Sequence, residues 1–147
     1  MTENSATYDD DVTKLYSPVQ VACGVLLGGP VGLIYFLRAN FLALGNSVAA
    51  AKTVVYGLLG LLGGMVLALI LPDNTPSRIA LTMGYVAAAK GIAERHQKTK
   101  KDIANSPEYG FHSNWKVFGL SLLCFVGSAL AVFALALPLS FLFEETL

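Results

Sequence analysis

Apolar residues fill four long stretches of the chain, and short polar or turn-forming segments separate them. The first stretch, 18–37, reads PVQVACGVLLGGPVGLIYFL and carries no charge. It reaches the ~20 residues a helix needs to cross hydrocarbon. Pro30 lies inside it, which membrane helices tolerate when neighbours satisfy the freed carbonyl. Helical pattern continues past Arg38 to Leu44, where Gly45-Asn46 signals a stop and Ser47 a cap for the next helix. A connection that short predicts an antiparallel hairpin. The second stretch, 53–71, is TVVYGLLGLLGGMVLALIL, and Pro72-Asp73-Asn74 breaks it. Thr75-Pro76 then reads as an N-cap followed by proline at the first helical position.

The third stretch is the shortest. IALTMGYVAAA, at 79–89, meets Lys90 early, and by length alone it fits a core or interfacial helix. The distribution of cations decides in favour of a span. With four spans and the N-terminus outside, Arg38, Lys52, Lys90, Arg95, Lys98, Lys100, Lys101 and Lys116 fall on the inner side. Only Lys14 and Arg78 fall outside, a positive-inside bias that collapses if the third segment does not cross. Glu3, Asp9, Asp10, Asp11, Asp73, Glu144 and Glu145 fall on the outer side. The third helix is expected to run on into the cytosol through ERHQKTKKDI, supported by Glu94–Lys98 and Lys98–Asp102 pairs at i,i+4. Ser113 caps a last helix that is apolar from Val117 to Phe143, with Trp115 as an interfacial anchor.

The expected fold is therefore all-α, an integral membrane four-helix bundle with helices at about 18–44, 48–71, 76–103 and 114–143. Helix 3 is the weakest of the four spans. An acidic tail, 1–16, and the end, 144–147, both lie outside. Composition agrees: the 147 residues are 54% hydrophobic and only 14% charged, against roughly 25% charged in soluble domains. Ten basic and ten acidic side chains cancel, so net charge argues for no nucleic-acid partner. Cys23 and Cys124 lie toward opposite faces of the bilayer, too far apart for a disulfide.

Small residues at helical spacing give the clearest constellation. Gly24, Gly28 and Gly32 share one face of helix 1, and Gly57, Gly60 and Gly64 one side of helix 2. Gly84 lies between Ala80 and Ala88 on helix 3, while Ser121, Cys124, Ser128 and Ala131 share a face of helix 4. Lipid supplies no hydrophobic drive between helices, so close backbone approach at small residues must associate them. These glycines pack the bundle or serve an oligomer or partner interface. They are no phosphate loop, because Gly28-Gly29-Pro30-Val31-Gly32 lacks the Lys-Ser/Thr that such a loop requires.

Lys90 lies one turn inside the membrane, near enough for its ammonium to reach headgroups. With Arg95, Lys98, Lys100 and Lys101 it forms a basic stretch suited to anionic lipid headgroups. No apolar segment holds an Asp or Glu, which disfavours secondary transport. His96 and His112 lack zinc-ligand spacing, and Ser113 has no positioned base and carboxylate. The expectation is a protein without catalytic residues, cofactor or metal. Its partners are the bilayer and, through the helix faces, a second copy or another membrane protein. A homo-oligomeric pore is the alternative, with Ser121, Ser128 and Thr82 as its lumen hydroxyls.

The segments Tyr16-Ser17-Pro18-Val19-Gln20, Leu27-Gly28-Gly29-Pro30, Asn40-Phe41-x-x-Leu44-Gly45 and Leu71-Pro72-Asp73-Asn74-x-Pro76 resemble an uncharacterised family of small multi-pass bacterial inner-membrane proteins. The likeness covers the first half of the chain and only weakly the rest. It implies a bacterial inner membrane and the same helical layout, but no activity and no functional residue.

Overall fold

The computed structural model describes residues 12–72 and 74–144, with side chains through 137. Its elements in chain order are β1 (Thr13–Leu15), α1 (Pro18–Ala43), α2 (Ser47–Ile70), α3 (Thr75–His96), α4 (Lys100–Asn105), β2 (Tyr109–Phe111) and α5 (Asn114–Glu144). Three helices, α1, α2 and α5, are long and apolar enough to cross a membrane.

Ser17 starts α1 with a capping box: its hydroxyl accepts from Gln20 N–H while the Gln20 side chain accepts from Ser17 N–H. Pro18 fits the first turn, where its missing donor leaves nothing unsatisfied. The helix does not continue straight. Gly29 adopts φ 64° and ψ −154°, a region open essentially to glycine alone. There the chain reverses, and 18–28 and 30–43 become two arms of a helical hairpin. Tyr16 N–H donates to Asn40 Oδ1 at 2.8 Å, and the Tyr16 and Phe36 rings meet edge to face with centroids 4.9 Å apart. A Cβ on Gly32 would come within 2.7 Å of the Gly24 carbonyl oxygen. A straight helix would hold those two residues ~12 Å apart.

Helix 1 is thus corrected from one continuous helix to two arms of about 16 and 21 Å, each short of the ~30 Å hydrocarbon core. A kink at Pro30 is consistent with the sequence. The full reversal comes from Gly29, which breaks the helix before proline can.

The hairpin is the centre of the molecule. Helices α2, α3 and α5 each pack on α1 and make few contacts with one another. The core holds Val21, Val25, Phe36, Leu37 and Phe41 of α1, with Ala50, Ala89, Ala93 and Val117 from the surrounding helices. This differs from a bundle of four equivalent spans, in which every helix would lean on its neighbours over its whole length.

Three boundaries are also revised. Helix 3, expected to reach residue 103, stops at His96. Gln97 is extended (φ −123°, ψ −155°), and Thr99 caps the separate α4 through a capping box with Asp102. Asn46, not Ser47, caps α2, and Asn74, not Thr75, caps α3; each side chain accepts the N–H three residues on. Finally, β1 pairs in parallel with β2, Thr13 opposite Tyr109 and Leu15 opposite Phe111. The chain entering α1 therefore lies at the same end as the basic 97–113 segment. The expectation of a four-span bundle had set them on opposite sides. Because α1 returns to the end it left, β1 and the 97–113 segment share one end of the molecule. Residues 1–11, Asp73 and 145–147, to which most of the outside acidic residues belong, lie outside the described residues.

The reversal leaves two helix ends facing α5, and Ser128 joins them. Its hydroxyl donates to the Gly28 carbonyl at 2.7 Å and accepts from Val31 N–H at 3.1 Å. A polar backbone group left unpaired away from water costs about 1–3 kcal/mol, and a side chain forced onto the Gly29 conformation about the same. Gly29→Ala and Ser128→Ala should each lower stability by about 1–3 kcal/mol in equilibrium unfolding in one detergent. Both disturb the same junction, so the double variant should lose less than the sum. Full additivity would show that the two residues act independently.

Candidate functional site

The glycine faces read from the sequence serve three different purposes. Gly24 and Gly32 face each other across the α1 hairpin, and a Cβ on Gly24 would run into the Phe36 ring. Gly28 meets α5, where its Cβ would stand 2.8 Å from Cys124 Cβ and 3.2 Å from the Ser121 carbonyl oxygen. The three glycines therefore do not line one face of one straight helix; they allow three backbone segments to converge. Gly57 receives the Ile34 side chain of the returning arm. Gly64 lies beneath the Tyr85 hydroxyl, which donates to the Gly60 carbonyl at 2.7 Å and ties α3 to α2.

Gly60, Gly63 and Gly84 differ from these, since a Cβ at any of them would meet nothing within 4 Å. They border a cleft between α2 and α3 that the α1 hairpin does not reach. The cavity there measures about 440 Å³ and is walled by Gly60, Gly63, Gly64, Leu67, Leu71, Ala80, Leu81, Gly84, Tyr85 and Ala88. A second cavity of about 580 Å³ continues the cleft toward the basic end, between α2, α3 and the returning arm of α1. Gly60, Tyr85 and Ala88 border both. The Tyr85–Gly60 bond lies across the cleft as a bar.

At the basic end, a polar clasp fastens the hairpin. Asn40 is 3% exposed. Its Nδ2 donates to the Tyr16 carbonyl at 2.7 Å and to Gln97 Oε1 at 2.9 Å, while Gln97 Nε2 donates to the Leu37 carbonyl at 2.9 Å. Gln20 Nε2 donates to the His112 carbonyl at 2.7 Å and to Asn114 Oδ1 at 2.8 Å. The His112 ring stacks on Tyr16 with centroids 4.2 Å apart. Burial, then Lys116 and Lys14, holds the His112 imidazole below its ordinary 6.5 and favours its neutral form. Sequence reasoning gave Asn40 and Gln97 no role. A polar residue beside an apolar run, as at Asn40, is the signal that could have found the clasp.

The basic residues differ in their surroundings. Lys90 pairs with Glu94 at 3.6 Å rather than reaching outward alone, and Lys98 lies 5.4 Å from the Tyr109 ring centroid. Arg95, Lys100 and Lys101 are exposed. Asp102 beside them is held below the usual carboxylate range by hydrogen bonds from Thr99. The hydroxyls considered for a pore lumen are bonded to backbone: Ser121 to the Val117 carbonyl at 2.6 Å, Thr82 to that of Arg78 at 3.0 Å, and Ser128 at the α1 junction. Among the described residues, no three His, Cys, Asp or Glu side chains converge as metal ligands. Cys124 is buried and Cys23 exposed, both unpaired.

No family model matches the chain, and neither a curated protein nor a solved structure does.

Gly28 and Gly84 provide an internal contrast. Alanine favours a helix over glycine by up to about 1 kcal/mol, and at Gly84 nothing opposes the added methyl. Gly84→Ala should hold or raise the unfolding midpoint. Gly28→Ala should lower it, because the methyl must displace α5 backbone. Equal effects in a thermal-unfolding comparison would contradict the different roles assigned to the two faces.

Proposed function

We propose that this chain is a non-enzymatic accessory component of a membrane, acting through helix–helix contacts. The unfilled cleft of small residues between the far halves of α2 and α3 carries this reading. Gly60, Gly63 and Gly84 leave backbone open to close approach, and in lipid such faces associate helices through van der Waals packing. Glycine costs helix stability at each of these positions, and among the described residues no neighbour occupies the space that a Cβ would take at any of them. A helix from a second copy or another membrane protein would seat against them.

In this reading α2, α3 and α5 cross the bilayer, at roughly 36, 33 and 46 Å of helix length, and α1 is re-entrant. The end holding the strand pair faces the cytosol. It gathers Lys14 with Arg38, Lys52, Lys90, Arg95, Lys98, Lys100, Lys101 and Lys116, leaving only Arg78 at the other end, so the positive-inside bias strengthens. Acidic residues count for little under that rule, so their N-terminal cluster does not oppose it. The N-terminus is then inside and the C-terminus outside. A bacterial inner membrane is the setting implied by the family resemblance.

Two measurements test the proposal. The native mass of gently extracted protein should show either a discrete oligomer or another protein at fixed ratio, and Gly84→Leu should release it without unfolding the chain. A monomer in both wild type and variant would remove the interface. Single cysteines in place of Lys14 and Lys100, in a Cys-free background, should both be shielded from impermeant thiol reagents in whole cells. Labelling at Lys14 alone would restore α1 as a straight span.

A further inference from the structure

We infer that the cleft between α2, α3 and the returning arm of α1 is a binding site for one anionic phospholipid of the leaflet at the basic end. Its acyl chain would lie in the slot and its phosphate against Lys52. This goes beyond the helix-contact reading, which concerns the far half of the same cleft.

The slot is formed because α1 turns back in mid-membrane and holds α2 and α3 apart. Leu33, Leu37 and Phe41 of the returning arm make its floor, and Ile92 and Ala88 of α3 one wall. Its volume, about 580 Å³, lies in the ~300–1,000 Å³ range of small-molecule sites. Water cannot occupy the interior stably, because a buried water needs two to four polar partners. Three hydroxyls border it: Thr53 is bonded to the Ala49 carbonyl at 2.9 Å and Tyr85 to the Gly60 carbonyl, while Tyr56 is 68% exposed and belongs to the open side. Hydrocarbon is the occupant these walls accept.

Depth and charge define the rest of the ligand. From Lys52 to Gly60, under the Tyr85 bar, the slot runs ~12 Å along α2. One leaflet of hydrocarbon measures ~15 Å, half of the ~30 Å core. The slot thus takes a chain entering from one face and stops it near the midplane. At its mouth stand Lys52 and His96. No carboxylate lines the cavity, and among the described residues neither side chain has an ion-pair partner, whereas Lys90 is paired with Glu94. A cation at the mouth of an apolar slot selects an anionic headgroup over a zwitterionic one.

The test uses full-length protein in mild detergent, titrated with phosphatidylglycerol or phosphatidylcholine, with bound lipid counted by native mass spectrometry. One phosphatidylglycerol per chain should bind in preference to phosphatidylcholine. Lys52→Gln should weaken it about five-fold, the factor equivalent to ~1 kcal/mol for one Lys at an anionic surface. Lys100→Gln should leave it unchanged. Ala88→Phe, at an exposed position on the cleft wall, should block binding while the unfolding midpoint persists. Equal binding of both lipids, no effect of Lys52→Gln, or an equal loss with Lys100→Gln would overturn the site. So would cross-linking of a cysteine at Thr53 to a second copy or to another protein in place of lipid.

Discussion

A broken helix in hydrocarbon must have its backbone ends bonded, and Ser128 meets that requirement here. Where 18–28 stops and 30–43 begins, the Gly28 carbonyl and the Val31 N–H have lost their helical partners. One hydroxyl from α5 satisfies both. Non-helical backbone at membrane depth is tolerated only when protein buries it. The Gly28 contact with Cys124 and Ser121 provides that burial, because only a residue without Cβ lets α5 approach so closely. Gly29 supplies the conformation, Gly28 the proximity and Ser128 the hydrogen bonds. Removing any one leaves the other two without purpose.

Several properties of the molecule follow from this junction. A hairpin with arms of about 16 and 21 Å fills only part of the space among the longer surrounding helices. Near the basic end α2 and α3 rest on the returning arm, and beyond its tip they face each other across an open cleft. The return also brings Tyr16 to Asn40, so that one buried carboxamide can bond the chain entering α1, the arm leaving it and, through Gln97, the end of α3. The extended backbone at Gln97 that ends α3 early places this side chain beside the Leu37 carbonyl.

Much of the secondary structure was legible in the sequence. Apolar runs bounded by Gly45-Asn46, Pro72 to Pro76 and Ser113 located α1, α2, α3 and α5 within a residue or two at most of their ends, since breakers and caps act locally. The reversal was not legible. Hydropathy is the same for a straight span and a folded one, and proline tolerance in membrane helices made Pro30 the residue in view when Gly29 was decisive. The repeat Gly24, Gly28, Gly32 suggested one seam because spacing assigns a face only if the helix is unbroken. Continuity of the helical pattern past His96 hid the stop at Gln97, which rests on bonds to Asn40 and Leu37 far away in sequence. The strands were out of reach for a similar reason: three residues paired with partners as distant in sequence as Thr13 and Tyr109 leave no local period.

The Tyr85–Gly60 bond gives the cleft two unlike halves. On one side Gly60, Gly63, Gly64, Ala80, Gly84 and Ala88 leave backbone at short range, alongside Leu67, Leu71 and Leu81. This suits a helix, whose own backbone can come close, and a flexible acyl chain would gain little from it. On the other side the walls are Leu33, Leu37, Phe41 and Ile92, with a cation at the mouth. These branched and aromatic side chains keep a neighbouring helix away but leave room for a single chain of methylenes. Because α2 and α3 are held apart by α1 and joined by one hydroxyl, anything entering either half changes the separation that the other half meets. The two occupants would therefore be coupled through Tyr85, by a change in α2–α3 spacing that both sense.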